Sequence, residues 1–520
     1  MKREGPFVRH PRLAMALTVL GVLVGGLAFR ISLPVESWFW YDEIYGATFA
    51  SGTLYEALLG PLRFDLHPPL YYLQLWLWAR VDAGDTWLRL NSAAWGLAAA
   101  VMAWQVARQC LGEREAWIAL FLMLVVPAAV VTAQDLRMYP MLMALALMSS
   151  WGALLWFSPR PAARTGAWML ALAGVAAAYS HATGVLIPVA AAVFSLLLWR
   201  QTTAHRVTMR GWILVQGLVA VAVLPAVLNS MIRSVGHMTL PDGAVVVGTL
   251  TRLLLDQAAM QHPALLVLGV LLLAGSILGA WWSSLRWMFV AYVLFPILLL
   301  LAVSYFVRPV WHLRALYPLT PFLVLGGAVA LARLGDVLAR MTRLRGAASA
   351  PALLMTMLLV VLAVWNASLV EKSHRYPAAV EFVQSHLAPG DIVWAPDFVS
   401  AWAVKRYWIG PRWGSITRIQ GEPTSEQWRR IYDRLGDPWL ERIGLAAEGR
   451  SIAAGESRIY TGPGVDETML GRSSIWVVGN QAAPAGEALQ GEGYVLLREE
   501  DFRGVGVAEF AFIGPPDPKD

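Results

Sequence analysis

Apolar residues in this chain come in long runs, not in strict alternation. A membrane-spanning helix needs roughly 20 such residues. Eleven stretches qualify as candidates, near residues 13–33, 88–108, 115–133, 140–157, 166–180, 183–199, 211–229, 264–284, 287–306, 315–333 and 350–368. The segment 67–80, "HPPLYYLQLWLWAR", is apolar but short, and reads as a helix lying in the membrane interface. After residue 369 the pattern becomes polar, with Pro, Gly and mixed charges. There "YPAAVEFVQSHLAPGDIVWAP", 376–396, predicts an amphipathic helix, a Pro-Gly-Asp turn and a short strand. The expected fold is a polytopic α-helical membrane protein of about eleven transmembrane helices, with a C-terminal extracytoplasmic α/β domain. The expected domains are 1–368, which includes a long first outer loop at 34–87, and 369–520.

Basic residues orient this pattern, because cytoplasmic loops collect Lys and Arg. With the N-terminus inside, the inner loops hold sixteen: Lys2, Arg3, Arg9, Arg12, Arg108, Arg114, Arg160, Arg164, Arg200, Arg206, Arg210, Arg286, Arg333, Arg340, Arg343 and Arg345. The outer loops after the second span hold Arg137, Arg233, Arg252, Arg308 and Arg314. Counting 67–80 as a span would turn the later basic loops outward. The tail is therefore expected outside.

Composition fits this class. The chain is 57% hydrophobic and 15% charged, against about 25% charged for a soluble domain. Its 25 Trp residues suit water–lipid interfaces. The net charge of +6 is explained by the loop asymmetry, which argues against nucleic acid as a partner. The first apolar run follows "MKREGPFVRHPR" and lacks a small-residue cleavage site, so it reads as an anchor. A single cysteine, Cys110, excludes an intrachain disulfide and a Cys-based metal site.

With this topology, five polar clusters share the outer side. They are Asp42-Glu43 within "SWFWYDEIYGATFA"; "FDLHPPLYY" at 64–72, with His67; "AQDLRMYP" at 133–140, with Asp135, Arg137 and Tyr139; "YSHATG" at 179–184, with His181; and "RPVWHLRALYP" at 308–318, with His312 and Arg314. Ionisable groups at membrane depth are costly and tend to mark a site. Each also has a plain structural reading. The acid pair suits the N-terminus of a helix over 44–59. His67 precedes a Pro-Pro helix start. Asp135 and Arg137 suit an interfacial ion pair, His181 a structural role near a span end, and Arg308 and Arg314 the headgroup region. The sequon at Asn366 abuts a span and reads as chance.

The Asp-Glu pair after span one, "HPPLYY", "QDLRMYPMLMALAL" and the Arg/Tyr-Pro segment before a late span together resemble the C-type (GT-C) membrane glycosyltransferases. Within that class the chain is most similar to protein O-mannosyltransferases and lipid A aminoarabinose transferases, over about residues 10–370. It departs from them where Ala315 and Leu316 separate Arg314 from Tyr317, and at Asp135, where many relatives carry Glu. The resemblance implies transfer of a sugar from a polyprenyl-phosphate donor to an acceptor outside the cytoplasm, in a bacterial inner membrane with the site facing the periplasm. It implies Asp42 as the base, with Glu43 orienting the acceptor or anchoring the loop.

Chemistry agrees with that assignment. A carboxylate can take the proton of an attacking hydroxyl. A lipid phosphate leaves as a stable anion that needs donors, not a second acid, and Arg314, Arg137 and His67 are candidates. Tyr139, His181, His312 and Asp135 complete the expected substrate-binding set. No cofactor is required. A divalent metal is an open option, with Asp42, Asp135, His67 and His181 as hard or borderline ligands. Competing classes are a transporter or flippase for a lipid-linked glycan, a polysaccharide polymerase or ligase using a lipid-diphosphate donor, and a non-catalytic scaffold. No internal repeat of the transporter kind is visible.

Overall fold

A computed structural model describes residues 11–33, 38–158, 163–201, 207–232, 238–369, 374–411, 452–454, 457–461, 465, 469–470, 472–480 and 482–514. Lys2, Arg3, Arg9, Arg160, Arg206 and Arg233 of the topology argument lie outside these residues. The chain divides into two compact units. One comprises Met1–Val35, Arg89–Pro225 and Val235–Val370; the other comprises Glu36–Leu88, Ala226–Ser234 and Glu371–Asp520. The first loop thus groups with the tail.

The first unit is helical. All eleven predicted stretches fall on helices, but they are not equivalent. Seven helices among the described residues are long and apolar enough to cross a membrane, from Tyr139–Trp156 to Ala350–Leu369. The pair Glu113–Val125 and Pro127–Gln134, bent by 52°, makes an eighth if taken as one span. Pro127 starts the second half, where its missing N–H costs nothing. Leu17–Ser32 and Ala163–Ala178 are shorter apolar helices. One helix, Gly243–Leu255, was not predicted. It has 13 residues and is capped by Asp242, whose carboxylate accepts the Val245 N–H at 2.7 Å.

Close helix contact in this unit depends on small residues, as is usual where lipid gives no hydrophobic drive between helices. A Cβ on Gly326 would fall 2.1 Å from the Ser276 carbonyl oxygen, and one on Gly279 would fall 2.1 Å from that of Gly326. Helices Pro263–Trp281 and Thr320–Thr342 therefore meet backbone to backbone. Buried Arg30 ties helix Pro11–Ser32 to its neighbour by donating to the Met123 carbonyl at 3.1 Å. Asn366 is fully buried, so its sequon is closed to modification. The helix Arg286–Phe306 contains a π turn at Val290–Leu294, which presents Tyr292 to Ser149 at 2.8 Å.

The second unit contains the loop helices Tyr41–Ser51, Leu54–Phe64 and Leu70–Trp78. Leu70–Trp78 has nine residues, too few to span, in keeping with its reading as interfacial. The expected single helix over 44–59 is instead two. Thr53 stops the first by capping the second: its hydroxyl accepts the Glu56 N–H at 3.2 Å, and the Glu56 carboxylate accepts the Thr53 N–H at 2.5 Å.

The tail forms a six-stranded mixed sheet of β1 (Ile392–Ala395), β2 (Ile452–Ala454), β3 (Ser457–Thr461), β4 (Ser474–Gly479), β5 (Tyr494–Asp501) and β6 (Gly506–Phe512). The strand order is β2-β3-β1-β4-β6-β5. Central β1 runs parallel to both β3 and β4. The predicted helix–turn–strand appears as Tyr376–His386, a turn at Gly390 with φ 94°, and β1. The core packs Ile392, Trp394, Ile475, Val477, Leu489 and Phe510.

Candidate active site

The acid pair opens helix Tyr41–Ser51, at the positive end of its dipole. Trp40 is extended at the N-cap (φ −83°, ψ 174°), and its N–H donates to the Glu43 carboxylate at 3.3 Å. Glu43 is fully buried. Spacing assigns these roles: only the third helical residue reaches back to the cap. The cap bond therefore belongs to Glu43, while Asp42 is half-buried in the first turn.

The helix that carries Asp42 is flanked by aromatic rings. Tyr41 meets Tyr45 edge-on at 5.9 Å, and Tyr45 meets Trp402 at 5.7 Å and Phe49 at 6.0 Å. Burial pushes the Tyr41 hydroxyl up to about 12, and the charges of Asp397 and Asp42 push the same way. Tyr45 is raised further, by burial and then by Tyr41, Asp65 and Asp42. Both phenols stay protonated, so they act as donors near the carboxylates.

His67 is half-buried in the turn that joins two loop helices, just before Pro68 and Pro69. That turn is held by Asp65, which accepts the Leu66 N–H at 2.6 Å and the Tyr72 hydroxyl proton. Tyr72 packs edge-on against Phe49 at 5.1 Å. "HPPLYY" therefore joins Asp65 to the helix that carries Asp42.

The tail adds residues that the sequence reading missed. Asp397 caps helix Phe398–Ile409 by accepting the Ser400 N–H at 2.9 Å and the Ser400 hydroxyl at 2.6 Å. Tyr376 Oη lies 3.1 Å from Ser400 Oγ and donates to Asn480 at 3.4 Å. Asp397 and Asn480 follow parallel β1 and β4, at the carboxyl ends of the strands where open α/β sheets place ligands. His374, with φ 66°, packs on Tyr41 at 5.5 Å and stacks on Tyr376 at 6.1 Å. Buried Arg406 locks tail to loop, meeting Asp85 at 2.5 Å and the Ala83 carbonyl at 2.7 Å. A lone Asp in "WAPDFVS" reads only as a helix cap, so sequence gave no signal for Asp397.

The other predicted residues lie in the membrane unit, where the structure joins several. Asp135 ends helix Pro127–Gln134, and its carbonyl accepts the Arg137 N–H at 2.7 Å. Arg137 is 5% exposed and sits 6.0 Å from the Tyr139 ring. Tyr139 contacts His181 at 5.7 Å and Tyr317 at 5.3 Å. His181 and His312 both cap short helices. Their Nδ1 atoms accept the N–H groups of Thr183 at 3.1 Å and Arg314 at 3.2 Å. Arg314 is half-buried in the turn Leu313–Leu316.

Asp256 was also missed. It is 2% exposed, with φ 48°, and accepts from Tyr317 at 3.3 Å and Asn366 at 3.2 Å. Burial pushes its carboxyl above the ordinary range, against these donors and Arg252. Its only sequence signal is a carboxylate in the apolar context "LLLDQAA". Leu186, Ile187, Tyr292, Pro296, Ala315 and Pro318 line a small apolar pocket in the same unit. Among the described residues no group of three or more His, Cys, Asp or Glu is placed to hold a metal ion.

Comparison with known proteins bears on the fold. Residues 66–229 match the sequence family described as dolichyl-phosphate-mannose-protein mannosyltransferase. No curated protein sequence matches. Two solved structures of ArnT from Cupriavidus metallidurans are similar over nearly the whole chain. The apo form has 14% identity and a TM-score of 0.58, covering 96% of this chain and 98% of that one. The form bound to undecaprenyl phosphate has 14% identity and a TM-score of 0.55, with the same coverage. The resemblance drawn from the sequence is borne out in the fold: this is an integral membrane protein with the architecture of the C-type glycosyltransferases.

Proposed function

We propose that the chain transfers a sugar from a polyprenyl-phosphate donor to an acceptor hydroxyl on the periplasmic side of a bacterial inner membrane, with Asp42 as the general base. The observation that carries this reading is the division of labour in the acid pair. Glu43 makes the helix-capping bond. Asp42 is half-buried in the first turn of the same helix, and its charge reaches the Tyr41 and Tyr45 phenols. A carboxylate so placed suits proton removal from an attacking hydroxyl.

The leaving phosphate requires positive charge and donors. Arg137 and Arg314 are assigned that role, because a planar guanidinium fork matches phosphate. His181 and His312, in the same unit, are further candidate donors. The fold similarity to an undecaprenyl-phosphate-bound structure supports a lipid monophosphate donor.

Mass spectrometry of envelope lipids and glycans, with and without the chain, tests the reading. Loss of one glycosylated species with accumulation of a polyprenyl-monophosphate sugar is expected. Accumulation of a lipid-diphosphate glycan would point to a polymerase or ligase instead. An unchanged profile would remove the transferase reading.

A further inference from the structure

His374 is placed where it contacts the helix of the assigned base and the tail at once. Its ring lies between Tyr41, the residue before Asp42, and Tyr376. Tyr376 continues through Ser400 to Asp397. The backbone fixes this position: the His374 N–H donates to the Arg503 carbonyl at 2.7 Å, and the Tyr376 N–H donates to the His374 carbonyl at 2.8 Å. A non-glycine residue with φ 66° is uncommon and costs energy, so the surrounding structure must hold it there.

We propose that His374 is a positioning residue for Asp42, a proton outlet on the tail that takes from the Asp42 carboxyl the proton removed from the acceptor and so restores the base. The proposal rests on the Asp42 reading above. In the transfer step the acceptor O–H bond breaks and its oxygen bonds the anomeric carbon. The bond from that carbon to phosphate breaks, with its electrons leaving on the phosphate. The proton goes to Asp42, then to the His374 imidazole, then to water. Imidazole is ordinarily a stronger base than a carboxylate by about two pKa units, a gap that burial of His374 narrows.

The groups facing His374 are Tyr41 and Asp42 from the loop helix, Tyr376 and Asp397 from the tail, and Asp501 from β5. Burial lowers its pKa below the ordinary histidine value, while Asp397, Asp42 and Asp501 each oppose that. The imidazole is therefore largely neutral near pH 7 and able to accept a proton.

The first test needs no substrate. Full-length chain carrying ¹³C-labelled histidine, in nanodiscs, would be titrated by NMR, with the His374 signal identified by its loss in His374→Asn. Asn tolerates positive φ, which protects the fold. In Asp42→Asn the His374 midpoint should fall by about half a unit, because a charge that supports the imidazolium is gone. An unmoved midpoint would overturn the proposal.

The second test is product formation in envelope membranes of the source cells, which hold native donor and acceptor. His374→Asn and His374→Ala should lower kcat about tenfold with little change in KM, and free imidazole should restore His374→Ala. A reduced rate without imidazole rescue would show a purely structural residue and overturn the relay. Full activity in Asp42→Asn would overturn the base and the relay together, while the NMR coupling would remain to be seen. The two failures are thus told apart.

Discussion

Of the neighbouring acids 42 and 43, Glu43 makes the bond that closes the start of the helix. Glu43, the third helical residue, reaches back to the Trp40 N–H. Gln at position 43 keeps an acceptor for the cap and removes a fully buried carboxylate. Glu43→Gln should therefore melt within a few degrees of wild type, whereas Glu43→Ala should lose about 1 kcal/mol, the usual worth of a cap. Thermal melts of purified chain would check this, and equal stability of the two variants would remove Glu43 from the cap. The pair was legible in the sequence as either cap or chemistry. That Glu43 closes the start of the helix required the backbone at Trp40. His374 and Asp397 were not legible, since their meeting with the loop depends on a fold that brings together residues hundreds of positions apart.

At the level of elements, apolar length was the legible quantity. A bilayer forces long apolar runs, and every predicted run is helical. Gly243–Leu255 escaped because 13 residues punctuated by Thr249, Thr251 and Arg252 match no span. The break at Gly52 escaped because the Thr53–Glu56 capping box lies inside a stretch of helix-like pattern. The order of strands in the tail could not be read, because pairing β1 between β3 and β4 is a non-local choice. Contact between Pro263–Trp281 and Thr320–Thr342 is closer still to pure geometry. Gly326→Ala would place a methyl 2.1 Å from the Ser276 carbonyl oxygen, so the helices must part. A loss of about 1–3 kcal/mol is expected, the range for overpacking. It would be read as a lower Tm in nanodiscs, and an unchanged Tm would contradict the close approach.

Across the whole molecule, the first loop groups with the tail and the polar cluster of Arg137, Tyr139 and His181 stays with the membrane helices. Asp42 and His374 fall in one unit, and Arg137 and Arg314, proposed to hold the phosphate, fall in the other. Donor handling and acceptor activation should therefore fail separately. The most direct measurement is transfer by full-length chain, wild type against Asp42→Asn, in envelope membranes supplying native donor and acceptor, with binding of polyprenyl phosphate followed in parallel. Asn matches Asp in size and caps a helix about equally well, but it cannot take a proton. A fall of about 10²–10⁴ in transfer, with folding and lipid-phosphate binding retained, is the expected result. Transfer by well-folded Asp42→Asn at the wild-type rate would contradict the account.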